Sequence, residues 1–300
     1  MTTRITRPRA ITGVAFALLA VVAAAGVGMA HASQPATKPA AAPPTDLPSA
    51  EAIFERHVEA IGGWDAVRSH RNRRVTGTFD GPPFTGAARL KIWADAPDKL
   101  HIEIREPLGV KLGVFYTGEY GWEEFNGGEP VPIFGPRLVE FIEGADFYGE
   151  SSYKDRYSEI ETVGAGEFSG RPVWAVRAVS TSGRARRLFF EQDSGLFVGE
   201  HTTIARMSED GKLEAKFVEV LHENYTEIEG VLVPTRQTQK VDGDARPIIF
   251  NYTSIRVNVS DEHSYYPPEP QRAKLEADIK RLKDQAAAAK AERERANSGG

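Results

Sequence analysis

Past Asn72 the apolar residues of this chain stop recurring every three or four positions and begin to alternate. Leu100, Ile102 and Ile104 fall on one side of an extended segment, with His101, Glu103 and Arg105 on the other. Val110, Leu112, Val114 and Tyr116 repeat the pattern, with Lys111 among their outward partners. Successive side chains of a strand point to opposite faces, so each run reads as a strand with one dry and one wet face. Turn signals recur at short spacing, at Ala96-Pro97-Asp98, Asp193-Ser194-Gly195, Asp210-Gly211, Glu229-Gly230 and Asp242-Gly243. Acid-Gly pairs between alternating runs mark hairpins, because glycine reaches the positive φ of a tight turn at little steric cost. No helical pattern long enough for a crossover interrupts Pro172 to Val259, which argues against a parallel sheet and leaves an antiparallel meander.

Helical segments surround the strands. Ser49 is a good N-cap with Glu51 in the first turn, Ile53, Phe54, Val58 and Ile61 make one apolar face, and Gly62-Gly63 supplies the stop. Trp64 to Arg68 reads as another helical turn. From Pro136 to Gly144, Leu138, Phe141 and Ile142 stand at helical spacing, followed by Phe147 and Tyr148. A helix this short is not stable alone and must lie against the sheet. After Pro267-Pro268, residues 271–296 are rich in Ala, Lys, Glu and Arg, with a thin stripe of Leu275, Ile279, Leu282, Ala286 and Ala289. That stripe predicts a mostly solvated, charged helix.

The first residues read as an export signal. Arg4, Arg7 and Arg9 precede an uncharged run from Ala10 to Ala30, and Ala30-His31-Ala32 fits small-x-small cleavage. Cleavage after Ala32 is expected, with retention as an inner-membrane anchor as the alternative, since the run is about long enough to span a bilayer. The Ala/Pro-rich stretch 33–48 reads as a spacer, 49–268 as the folded domain, and 269–300 as the charged helix and tail. There is no cysteine, so the fold must be held by burial. The formal charge of −5 becomes −8 once the three signal arginines are removed, which argues against nucleic acid as a partner.

Known catalytic patterns are missing from the sequence. There is no Gly-x-Ser-x-Gly elbow, phosphate loop or His-Glu-x-x-His. Gly164-Ala165-Gly166 with Gly170 has the wrong spacing for a dinucleotide fingerprint and is expected to be a hairpin turn. His57, His70, His101, His201, His222 and His263 are dispersed and read as solvated strand histidines. Glu123-Glu124 and Asp242/Asp244 read as solvated carboxylates flanking turns. No catalytic residue, metal or cofactor is therefore expected, and no enzyme, which would need a polar cluster converging in a pocket. Large apolar side chains are in excess instead: Leu188-Phe189-Phe190 and Ile248-Ile249-Phe250 are apolar on both faces. The sheet is either well filled or curved around an apolar cavity, and periodicity does not decide between the two.

Several stretches, taken together, resemble the LolA/LolB-like superfamily of periplasmic lipoprotein-sorting and lipid-binding proteins. They are Gly118-Glu119-Tyr120-Gly121-Trp122, Phe190-Glu191-Gln192-Asp193-Ser194-Gly195-Leu196, Tyr225 to Pro234 and Ile255-Arg256-Val257-Asn258-Val259. The resemblance covers about Ser49 to Pro268. It implies an α+β fold, a curved antiparallel sheet forming an incomplete barrel with helices as a lid, here with an extra C-terminal charged helix. On that match Leu138, Phe141, Ile142 and Phe147 are expected in the lid. Alternation nominates Leu100, Ile102, Ile104, Leu112, Val114, Trp174, Phe190, Phe217, Phe250 and Tyr252 as cavity-facing. The expected function is a soluble periplasmic carrier of a lipid or acylated protein. The alternative is an envelope sensor or adaptor that contacts a protein partner through residues 271–296. No lipobox cysteine is present, so the chain does not resemble the anchored acceptor of that superfamily.

Overall fold

The computed structural model describes residues 47–298, apart from residues 83, 85, 209 and 211. The expected signal and all of the spacer before residue 47 lie outside the described residues. Helix α1 (Ala50–Ala60) begins where the Ala52 amide donates to the Ser49 hydroxyl at 3.2 Å, a cap worth about 1 kcal/mol. The chain then turns at Gly62, whose φ of +121° suits glycine and which passes so close to Gly230 that a Cβ would sit 2.1 Å from its carbonyl oxygen. Helix α2 (Gly63–Ser69) follows.

A first meander contains β1 (Asn72–Asp80), β2 (Ala88–Asp95), β3 (Lys99–Arg105), β4 (Lys111–Tyr116), β5 (Gly121–Phe125) and the short β6 (Val131–Pro132). Helix α3 (Pro136–Ala145), a 3-10 turn at Gly149–Ser152 and α4 (Tyr153–Arg156) lead to the second meander. This comprises β7 (Tyr157–Phe168), β8 (Arg171–Ser180), β9 (Ala185–Glu191), β10 (Phe197–Met207), β11 (Leu213–Ile228), β12 (Val231–Val241) and β13 (Ile248–Val257). All thirteen strands form one antiparallel sheet in the order β6-β5-β4-β3-β2-β1-β13-β12-β11-β10-β9-β8-β7. The sheet is curved and does not close, so the incomplete barrel expected from the sequence is present. Its two edges differ: β6 is very short, whereas β7 is long, carries Glu159, Glu161 and Glu167 exposed, and shifts register between Thr162 and Gly164.

Every neighbouring pair of strands is consecutive in the chain except one. β1 pairs with β13 from Arg73↔Val257 to Asp80↔Ile249, with a register shift between Thr76 and Gly77. At that shift a Cβ on Gly77 would stand 1.9 Å from the Asn251 carbonyl oxygen. The expected hairpins at Ala96-Pro97-Asp98, Asp193-Ser194-Gly195, Glu229-Gly230 and Asp242-Gly243 join the predicted strands. Gly164-Ala165-Gly166 lies within β7 instead of at a turn, and Ser169-Gly170 makes the β7–β8 turn.

Different helices cover different parts of the concave face. Phe141, Ala145 and Phe147 pack on Leu90, Ile102, Ile104, Leu112 and Phe250, forming the main core. Ile53 and Phe54 of α1 cover Val176, Leu188, Phe190 and Phe197, and Phe54 stacks on Tyr153 at 4.6 Å between ring centres. The outer face of β3–β5, expected to be wet, is covered at one end, while Glu103, Arg105 and Lys111 keep the other end polar. Trp93, His101, Phe115 and Trp122 form a stack with successive centroid separations of 4.6, 3.8 and 3.8 Å. The ring nitrogens His101 Nδ1 and His263 Nε2 lie 2.9 Å apart, and Trp122 Nε1 donates to the Tyr265 carbonyl at 2.9 Å. Helix α5 (Gln271–Ser298) closes this stack with Leu275 and Ile279, and beyond Leu282 it is solvated, as its charged composition predicts. Among the described residues no helix is long and apolar enough to cross a membrane.

The seam between β1 and β13 sets a first expectation. Gly77→Ala should lower the urea midpoint by the equivalent of about 2–4 kcal/mol, because backbone on both strands must move. Gly86→Ala, where a Cβ meets nothing within 4 Å, should leave the midpoint within about 0.5 kcal/mol.

Candidate functional site

Between the concave face and the segment from α3 to the 3-10 turn lies a cavity of about 380 Å³, a size typical of small-molecule sites. Its two walls differ chemically. One is apolar, with Val75, Ile92, Ala94, Leu100 and Ile102 from β1–β3 and Phe250, Ile255 and Val257 from β13. Register explains its continuity: Val75 pairs with Ile92, and Ile92 with Ile102, so their side chains form one row across three strands. The opposite wall is mixed, with Arg186, Glu200, Thr202, His222, Gln237 and Gln239 beside Ile204, Val218, Val220, Leu232 and Val233 from β9–β12. The roof is residues 143–151, and His57, Ile61, Val67 and His70 from α1, α2 and their ends close one side.

Of the residues nominated by alternation, Leu100, Ile102, Phe250 and Tyr252 line the cavity; of those expected in the lid, Phe147 lines it from the roof. Ile104, Leu112 and Val114 face the same way but are buried in the main core, outside the cavity lining. Three placements need correction. Trp174 and Phe190 pack beneath α1 and border a separate groove beside Arg56 and Gly195. Phe217 projects from the convex face, 42% exposed, because Val218 and Val220 take the inward positions of β11. In the lid segment, Phe141 and Leu138 pack into the main core, whereas Ile142 lies at the border of that helix face and is 40% exposed.

Alternation did not reveal the mixed wall's ion network. Glu143 on α3 receives Arg186 Nη2 at 2.6 Å and Arg184 Nη1 through its second carboxylate oxygen, and its first accepts the Ser180 hydroxyl at 2.7 Å. Arg186 also reaches Glu200 at 3.0 Å. Arg156 joins Asp146 at 2.9 Å and Glu150 at 3.5 Å, while the Tyr157 hydroxyl donates to Glu150 at 3.0 Å. Burial would raise the Glu150 pKa, but Arg156, Arg186 and His222 together with the Tyr157 bond bring it down to about 2. Glu143 is likewise held below the usual range, its burial outweighed by Arg186 and Arg184. One turn earlier, Glu140 accepts the Ala205 amide at 2.8 Å, yet burial pushes it up to about 7. The network therefore pins α3 and the turn after it to β8–β10.

The histidines also depart from expectation. His57 is buried on α1, accepts the Phe197 amide at 3.2 Å through Nδ1 and is lowered to about 4 by burial. His101 is lowered to about 2 by burial and by His263 within the outer stack. His222 is lowered by burial at the mixed wall, whereas His201 faces out and contacts Glu219 at 3.2 Å. Glu123, expected to be solvated, is buried against Arg137 at 2.9 Å, and Asp244 is gripped by Arg206 at 2.8 and 2.9 Å. His101 and Glu103 do not meet in a pocket, since Glu103 pairs outward with Lys111. Among the described residues no three His, Asp or Glu side chains are placed to hold a metal ion.

The sequence matches no family model and no curated protein. Solved structures similar to it include a LolA superfamily protein from Nitrosomonas europaea, at 14% identity over 74% of this chain and 99% of that one, with a TM-score of 0.47. A DUF1329 family protein from Desulfovibrio piger is 13% identical over 71% and 95% of the two chains, with a TM-score of 0.48. A domain assigned to outer membrane lipoprotein sorting in Vibrio parahaemolyticus is 11% identical over 71% and 93%, with a TM-score of 0.46. At these values the likeness carries no argument, and the incomplete antiparallel barrel rests on this chain's own strand order and register.

Two substitutions probe the roof. Glu143→Gln leaves buried Arg184 without its carboxylate and Arg186 with Glu200 alone, and should cost about 3–5 kcal/mol in urea unfolding. Glu140 has a folded pKa of about 7, above its unfolded value, so its contribution is fully present below about pH 4.5 and is lost as pH rises towards 7. Glu140→Gln should therefore be more stable than the parent by an amount that grows between those limits and levels off above them, read from paired unfolding curves.

Proposed function

We propose that this chain is an exported binding protein that holds a lipid or acylated protein by its hydrocarbon in the cavity and carries it through the periplasm without catalysis. The observation that carries this reading is the apolar row Val75, Ile92 and Ile102, which lines open volume beneath the roof. Each methylene placed there gains about 0.8 kcal/mol, so an acyl chain of moderate length binds without any covalent chemistry. The reading includes cleavage after Ala32, a spacer to residue 48 and a binding domain over 49–268. The solvated half of α5 beyond Leu282 favours a second reading, an envelope adaptor whose partner docks on residues 271–296.

The test is native mass spectrometry of the exported chain purified without detergent. An adduct that denaturation releases as lipid is expected, and Ile255→Trp, which fills the apolar wall, should lose it while keeping the parent's circular dichroism. A clean mass that stays clean after envelope lipids are added back would sink the carrier reading. Deleting residues 283–298 should leave uptake intact; loss of a protein partner on that deletion would favour the adaptor.

A further inference from the structure

Three arginines line the cavity, and two of them are doubly paired: Arg156 with Asp146 and Glu150, Arg186 with Glu143 and Glu200. The third, Arg73, forms no ion pair with any described residue. It stands on β1 opposite Ala94 and Val257, on the same face as Val75 and at the end of the apolar wall nearest the roof. Its guanidinium lies 4.3 Å from the centre of the Phe147 ring and donates to the Phe147 carbonyl. Asp146 is close enough for its field to be felt but is engaged by Arg156, by the Ser152 hydroxyl and by the amides of Tyr148 and Gly149. Burial lowers the pKa of Arg73, the sign of a cation whose lost hydration is not fully replaced. A guanidinium in this position presents a fork of donors suited to a carboxylate or phosphate.

We infer that the occupant is an anionic amphiphile, its carboxylate or phosphate paired with Arg73 and its hydrocarbon laid along Val75, Ile92 and Ile102. This rests on the cavity being a lipid site and adds the sign of the headgroup and the direction in which the ligand lies. A neutral or cationic head placed there leaves Arg73 unmatched. The mixed wall offers no second such cation, since Arg156 and Arg186 already have their carboxylates.

The experiment titrates the full exported chain, delipidated, with chain-matched pairs: oleate against oleyl alcohol, and dodecyl phosphate against dodecanol. The anions should bind about tenfold more tightly than the alcohols, the worth of one charged hydrogen-bonded pair. Arg73→Gln should erase that preference, and Arg73→Lys should keep part of it. Inorganic phosphate at millimolar concentration should neither bind nor compete. Equal binding of anion and alcohol by the parent chain, or a preference that survives Arg73→Gln, overturns the inference and leaves the carrier reading standing. Binding of inorganic phosphate alone makes Arg73 a free-anion site and overturns it too. If no probe binds, the inference and the carrier reading fall together. Should Arg73→Gln not fold, the parent's preference and Arg73→Lys still decide.

Discussion

The pairing of β1 with β13 turns two meanders into one sheet. All other strand pairings are between chain neighbours, whereas this one joins residues about 170 to 185 positions apart. It places Val75 and Ile92 beside Ile255 and Phe250, so the apolar wall of the cavity is built from both ends of the domain. It also brings β10 and β11 round to face β2 and β3 across an open volume. Gly77 is the local condition for this seam, because its missing side chain lets the two backbones approach at the register shift.

Strand identity was readable because it depends on neighbours one and two positions away. Leu100, Ile102 and Ile104 alternate, and Asp242-Gly243 turns, whatever lies across the sheet. Which face of a given strand borders the cavity depends on what covers it, and that is decided by residues far off in the chain. Trp174 and Phe190 face inward, but α1 lies over them and shuts them away from the cavity. His101 occupies the position alternation assigns to solvent, yet His263, Phe115 and Trp93 enclose it. Phe217 looks like a core residue by type and lies outside by parity. The Arg186 network was least readable, since Glu143, Asp146, Glu150, Arg184 and Glu200 come from a helix, three turns and one strand with no shared period.

That network has a particular energetic character. Removing several charges from water is costly, and their attraction roughly restores the loss only when every partner is in place. Glu143 receives two arginines and two hydroxyls, so its fixed position specifies where α3 sits more than it adds to net stability. Apolar contact through Phe141 and Ala145 would tolerate a sliding roof, whereas four bonds converging on one carboxylate do not. The roof is thus held along its polar border by ion pairs and along its apolar border by the packing of Phe141, Ala145 and Phe147.

A sheet that stays open keeps two exposed edges, and an unprotected edge recruits further strands. Here β6 is too short to template a neighbour, and β7 combines a break in register with three exposed glutamates. A second copy approaching β7 edge to edge would meet like charge along a bent backbone. The sheet therefore keeps its concavity open while each of its edges carries a feature that discourages growth by strand addition.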